Sequence, residues 1–400
     1  MTNNNDKKVL NVPLLRFPEF TEEWKEHCLA EYLDFKNGLN PSANKFGSGI
    51  KFISVMDILN NNFITYDCIR TSVKITPEEQ VAFAVEKGDM LFQRSSETLE
   101  DVGRANVYMD ENPAVFGGFV IRGKKKTEYN PMFFRYLLAS PYARKKIIPM
   151  GAGAQHFNIG QDGLSKVKLH FPILQEQQKI AALLRLIDER ITTQNKIIED
   201  LNKLKSAIIE MEYTHKTKGN THIGDFIEQT SKRNKDSAIQ NVLSVSNSQG
   251  FIQQCEQFEN RNVASDDISN YKIVERNCFA FNPARINVGS IARLTTFNRG
   301  IVSPMYICFR TKDNLFPEYL DYYFESKQFF TEIQKRLEGS VRQCLSYEGL
   351  CNIPLCIPTV EVQQQTGKRL STLVQEIKLE IDFLELLQKQ KKFLLHQMFI

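Results

Sequence analysis

Residues 160–184, GQDGLSKVKLHFPILQEQQKIAALL, have a weaker copy at residues 347–370, YEGLCNIPLCIPTVEVQQQTGKRL. Gly163 and Gly349 stand 186 residues apart, and the same interval joins Leu164 to Leu350, Leu169 to Leu355, Pro172 to Pro358, Gln177 to Gln363 and Gln178 to Gln364. The register continues through Leu184/Leu370, Ile191/Ile377, Glu199/Glu385, Leu201/Leu387, Lys203/Lys389 and Lys205/Lys391. Upstream it still links Gly103/Gly289, Pro131/Pro317, Tyr136/Tyr322 and Ser140/Ser326, then drifts by a few residues where VEKGDMLFQR faces VERNCFAFNP. A period near 186 is far too long for a solenoid repeat, so the chain is a tandem duplication of a whole domain plus a helix, with an implied pseudo-twofold arrangement.

The helical part of each copy is the clearest element. Ile180, Leu184, Ile187, Ile191, Ile198, Leu201 and Ile208 recur at gaps of three, four or seven, interrupted at Gln194 and Lys205. Leu370, Leu373, Ile377, Leu384, Leu387 and Leu394 do the same, interrupted at Glu380 and Lys391. This spacing predicts a coiled-coil seam in which each helix buries its stripe against the other copy, with the polar seam positions setting register. A helix over residues 175–213 would be about 58 Å long, too long to fold back within its own domain.

Ahead of each helix lie short apolar or alternating runs, IKFISV, NVYM, FGGFVIRG, NVLSVS, IARLTTF and PMYICFR, separated by Gly, Asn and Pro. They read as strands, with a bulge expected at the glycines of FGGFVIRG. One helix is expected after them in each copy, over NPMFFRYLLASPYARKKI and FPEYLDYYFESKQFFTEIQKRL. The expected fold is α+β, with domains at 1–172 and 216–358 and long helices at 173–215 and 359–400.

Composition narrows the class. With 42% hydrophobic and 24% charged residues, 400 residues hold two or three ordinary domains. No apolar run approaches the roughly 20 residues of a membrane span, and the start, MTNNNDKK, is polar, so a cytoplasmic location is expected. The eight cysteines form no CxxC pair and lie in runs such as NCFAF and YICF, which points to buried, reduced thiols. A net charge of +4 permits a nucleic-acid partner without requiring one.

No catalytic constellation emerges. The six histidines (27, 156, 170, 215, 222 and 396) form no HxxxH or HExxH pair, so no metal site is expected. A phosphate-cradling GxxxxGK[ST] loop is absent, as is a GxGxxG following a strand. FNPAR, residues 281–285, is similar to the Asn-Pro-Pro-aromatic turn of adenine methyltransferases, but Ala284 and Arg285 replace the second proline and the aromatic that stacks on a flipped base. Polar residues gather instead in two pairs of duplicated loops. Residues 94–106 carry Arg94 and Arg104, and residues 282–293 carry Asn282, Arg285 and Arg293. The second pair, 151–158 and 339–346, offers Gln155, His156 and Asn158 in one copy and Arg342 and Gln343 in the other. Arginine reads guanine edges bidentately, Asn and Gln read adenine, and all of them bind phosphate. Differing side chains on one duplicated scaffold fit two different sequence readers.

The opening LLRFPEFTEEW (14–24), the LHFPILQEQQKIAALL junction with its copy, and the domain-helix-domain-helix layout together resemble the specificity subunit of Type I restriction-modification systems. The second junction departs from the first, with Val362 for Glu176 and Thr366 for Ile180. The resemblance implies a non-catalytic DNA reader whose two target recognition domains each bind half of a split double-stranded target, while the antiparallel helices set the spacing. It implies that two modification subunits methylate adenine N6 with S-adenosylmethionine, and that two restriction subunits use ATP and Mg²⁺ to translocate and cut. This chain itself would bind no cofactor. A stand-alone methyltransferase or nuclease, and an assembly scaffold without DNA contact, are the competing readings.

Overall fold

The computed structural model describes residues 10–213, 221–247, 249–254, 267–339 and 343–400. Two compact units divide the chain: Met1–Asn195 with Asp382–Ile400, and Lys196–Ile381. The two long helices are Leu174–Tyr213 and Val360–Gln397. The unit boundaries fall inside both helices rather than at their ends, so each unit takes half of each helix.

The first unit holds a four-stranded antiparallel sheet in the order Leu33–Asn37, Val120–Lys125, Met90–Gln93, Ala105–Val107. The second holds its counterpart in the same order: Ile227–Thr230, Ile307–Thr311, Phe279–Phe281, Ile291–Arg293. One middle strand of each sheet, MLFQ and FAF, is buried along its whole length and largely apolar, as expected of a strand covered on both faces. FGGFVIRG does not bulge. It is two strands, Val115–Phe116 and Val120–Lys125, joined by a turn in which Val120 N donates to Gly117 O at 2.8 Å. A Cβ at Gly118 would fall 1.9 Å from Asn40 Oδ1, so any side chain there would have to displace the Asn40 amide.

The single helix expected after the sheet is a pair in each unit: Pro131–Ala139 with Pro141–Ile147, and Pro317–Tyr323 with Lys327–Gln334. The repeated Ser140 and Ser326 cause the break. Each takes an extended backbone and accepts from an amide of the next helix, Ala143 N at 3.2 Å and Phe329 N at 3.1 Å. Each hydroxyl also donates back to the preceding helix, to Leu137 O and Tyr323 O.

The junction motif is a clip repeated in full. Gln177 Oε1 accepts from Asn130 N at 3.0 Å and its Nε2 donates to Pro172 O at 2.8 Å; Gln363, 186 residues later, accepts from Phe316 N at 2.8 Å and donates to Pro358 O at 2.9 Å. Both glutamines are buried, and each ties the start of a long helix to the start of a short one. Gln177→Ala or Gln363→Ala orphans these backbone groups and is expected to lower stability by about 1–3 kcal/mol. An unaltered thermal midpoint in both variants would refute the clip.

Glu176 has no counterpart clip. Its carboxylate accepts two hydrogen bonds of 2.7 Å from Arg16 and one of 3.2 Å from the Trp24 indole, so it anchors the segment preceding the first sheet. Val362 stands at this position in the second unit, 39% exposed. Trp24 meets Phe133 and Phe399 edge-on, at 6.2 and 6.3 Å between rings, drawing the chain's last residues into the first core.

The predicted seam is the buried stripe of the helices. Ile180, Leu184, Ile187, Leu370, Ile377, Leu387 and Leu394 are buried, and Ile191, Ile198, Leu201, Leu373 and Leu384 are half-buried. In the first unit Lys391 Nζ reaches Asp188 at 2.5 Å, and Asp188 also accepts from Tyr136 OH at 2.8 Å; Arg190 lies over the Phe383 ring. In the second unit Glu212 faces Arg369 at 3.7 Å. Residue numbers rise along one helix as they fall along the other, so the strip is antiparallel. The repeated lysines diverge: Val374 replaces Asp188 in the second copy, and Lys205 turns to Glu325 at 2.6 Å over the Tyr322 ring.

All seven described cysteines are unpaired, but only Cys308 is buried; the other six are half-buried, which corrects the expectation, and Cys255 lies outside the described residues. Among the described residues no helix is long and apolar enough to cross a membrane, and no His, Cys, Asp and Glu group could hold a metal ion.

Candidate nucleic-acid interface

The two loop pairs singled out in the sequence meet in each unit, on one backbone frame used twice. The first loop connects the two sheet strands Met90–Gln93 and Ala105–Val107, closed by Gln93 N donating to Arg104 O at 2.7 Å. Its counterpart is closed by Asn282 N donating to Ser290 O at 3.0 Å. Gly103 (φ 68°) and Gly289 (φ 90°) sit at the return, in the left-handed region that glycine enters without steric cost. The counterpart of Gln93 is 189 residues later and that of Arg104 is 186 later, so the register drift is a three-residue deletion within this loop.

The second loop is a hairpin pinned by paired bonds between Ala152 and Asn158, repeated as Glu338 with Cys344. Gly153 and Gly339 turn it with φ 144° and 105°; at Gly153 a Cβ would meet His156 O at 2.0 Å. One bond locks hairpin to loop in each unit: Ile159 N to Arg94 O at 2.9 Å, and Leu345 N to Pro283 O at 3.0 Å. In the first unit Phe157 and Asn158 add a two-residue ladder to Ser96 and Ser95.

This frame sorts the predicted readers. Gln155, His156 and Asn158 are exposed on the first hairpin, where Asn158 Oδ1 accepts from Ser95 Oγ. Arg94 is half-buried beside them, with one guanidinium nitrogen donating to Gly118 O at 3.2 Å. Arg104 is exposed and pairs with Asp101 at 2.6 Å. In the second unit Arg285 and Gln343 are exposed, and Arg342 lies outside the described residues. Asn282 is half-buried, and its Oδ1 accepts from Ala284 N at 3.1 Å to shape the turn.

Arg293 is the exception. Its guanidinium donates to Asp321 at 3.0 Å, Asn277 at 3.1 Å and Glu318 at 3.4 Å, and its side chain is 13% exposed. It holds the sheet to the helix Pro317–Tyr323, and with all three of its nitrogens bonded within the unit and its side chain largely buried, its assignment as a reader is corrected to a structural tie. Burial pushes the Asp321 carboxyl up, and the facing Arg293 pulls it back down. Arg135 and Arg144 also lie close to the first loop, and in sequence nothing but their place within an expected helix marks them.

A family model described as the Type I restriction modification DNA specificity domain matches residues 21–203. The type I restriction enzyme MjaX specificity subunit of Methanocaldococcus jannaschii is 27% identical over 220 residues, 52% of this chain and 51% of that protein. Over about half of its length the chain is similar to the specificity subunits of Type I restriction-modification systems. A second relative, the HindI specificity subunit of Haemophilus influenzae, is 26% identical over 196 residues, covering 47% of this chain and 40% of that one. The matched region thus spans about half the length of these curated relatives or less. Likeness of fold extends across the chain: the S subunit of a Type I restriction-modification system from M. genitalium superposes with a TM-score of 0.59 over 97% of this chain and 99% of its own, at 14% identity. A chain from a structure on complex assembly and conformational transition of the type I R-M system gives 0.56 over 93% and 96%, at 13% identity.

Proposed function

We propose that this chain is the non-catalytic DNA-reading subunit of a Type I restriction-modification complex, each loop pair reading one half of a bipartite double-stranded target. One observation carries the reading: the same closing and locking bonds in the two units present different exposed polar side chains, Gln155 and His156 on one and Arg285 and Gln343 on the other. Chemistry then falls to partners. Two modification subunits bring S-adenosylmethionine to adenine N6, and two restriction subunits bring ATP and Mg²⁺, in the cytoplasm. Their docking is supported by the long helices, which leave Leu186, Leu379, Leu386 and Phe393 more than half exposed, an unusual load of apolar surface for a coiled coil in water.

The test is co-expression with a modification subunit and mapping of N6-methyladenine across the host genome by single-molecule sequencing. A bipartite motif with a fixed gap is expected. Arg285→Ala should relax one half of it by about 5- to 150-fold, the worth of one bidentate base contact, and Arg94→Ala the other half, with assembly intact. Unchanged motifs in both variants would remove these loops from the recognition surface.

A further inference from the structure

In the first unit the helix pair Pro131–Ala139 and Pro141–Ile147 packs beside the strand Ala105–Val107, near the helix Val55–Asn60. Between them lies a cavity of about 360 Å³ whose charged lining is Arg104, Arg135 and Arg144 against one carboxylate, Glu100. Arg144 Nη2 donates to Glu100 O and Val102 O, each at 2.7 Å, and so clamps the end of the first loop. Its Nη1 is buried with no hydrogen-bond partner, and so is Nε of Arg135. Buried guanidinium donors are seldom left open, because water has been removed and nothing has replaced it. Burial, with Arg104 adding to it and Asp101 only partly opposing, pushes the Arg144 guanidinium down to about 10.

The duplication supplies an internal contrast. The corresponding cavity of the second unit, about 350 Å³, is lined largely by apolar side chains, Ile286, Phe324, Phe329 and Phe330 among them, with Lys327 and Glu325 as its charged residues and no arginine. Phe330 stands where the first copy has Arg144, and Asp321, already paired with Arg293, stands where it has Arg135. The scaffold therefore makes the hollow in both units, and the first fills it with three arginines, of which Arg104 is paired with Asp101 while Arg135 and Arg144 keep open donors.

We infer that the Arg104, Arg135 and Arg144 cavity is an anion site that takes one phosphate of the DNA backbone beside the first loop. This rests on the DNA-reading function proposed above and adds a contact of a different kind: arginine forks match phosphate oxygens, and a phosphate contact positions the duplex without reading it.

The experiment uses the full chain in complex with its modification subunit, titrated with target and single-base-variant duplexes over a range of salt. Arg135→Gln is expected to weaken binding equally on all duplexes and to lower the slope of log K against log[salt] by about 1. Phe330→Gln, at the counterpart cavity, should leave that slope unchanged. Ethylation of one backbone phosphate near the first half-site should weaken wild-type binding and no longer weaken the variant's. Arg104→Gln, a change on an exposed side chain, should give the same result and stands in if Arg135→Gln fails to fold. Unchanged slope and ethylation pattern, while the wild type still selects its target, would overturn the phosphate site and leave the reading function standing. Altered preference at a single base would make the residue a reader, and loss of assembly with DNA contacts intact would make the anion a partner carboxylate; either overturns the inference. A wild-type complex with no sequence preference overturns both.

Discussion

Glu176→Ala is expected to cost the first unit about 3–5 kcal/mol, the usual penalty for breaking one side of a buried ion pair. The substitution leaves the Arg16 guanidinium, 13% exposed, and the Trp24 indole N–H without their acceptor, and nothing else within the packing replaces it. Trp24 is the chain's single tryptophan, so its fluorescence reports this unit alone during urea unfolding. Val362→Ala at the matching position in the second unit removes only a partly exposed aliphatic group and should change stability by less than about 1 kcal/mol. Equal effects of the two substitutions would show that the Arg16, Trp24 and Glu176 contact does not hold the leading segment in place.

Inserting four residues after Leu201 is expected to abolish methylation at the original target and to create a target whose half-sites lie one or two base pairs farther apart. Four helical residues add about 6 Å and overshoot a full turn by about 40°. That length is just under two steps of B-DNA at about 3.4 Å each. The half-sites themselves should be unchanged, because the insertion lies in the helix Leu174–Tyr213 and outside both loop frames. Methylation sequencing reads both quantities at once. An unaltered gap would refute the helices as the spacing element.

The two seams, the duplication and the junction were legible because they rest on short-range rules. Gaps of three and four place Ile180, Leu184 and Ile187 on one helical face whatever surrounds them. The repeated Gln177/Gln363 and Ser140/Ser326 stood out as coincidences of position, yet their work, clipping a helix start and breaking a helix in two, depends on partners 47 residues away or on local backbone geometry. For the same reason NPMFFRYLLASPYARKKI read as one helix: its apolar spacing continues through Ser140, and only the capping bonds reveal the break.

The candidate interface divides along the same line. Sequence alone determined which residue types occupy the duplicated loops and that the loops come in pairs, since Arg, Asn, Gln and Gly are visible as letters. The tertiary structure decided which of them are available. Arg285 remains exposed, whereas Arg293, eight residues on in the same chain segment, is drawn onto Asp321, Asn277 and Glu318. Arg135 and Arg144 acquire open donors only because helix, strand and loop close around them. A side chain's type is local information; whether its charge is already spent is set by neighbours that folding brings from far along the chain.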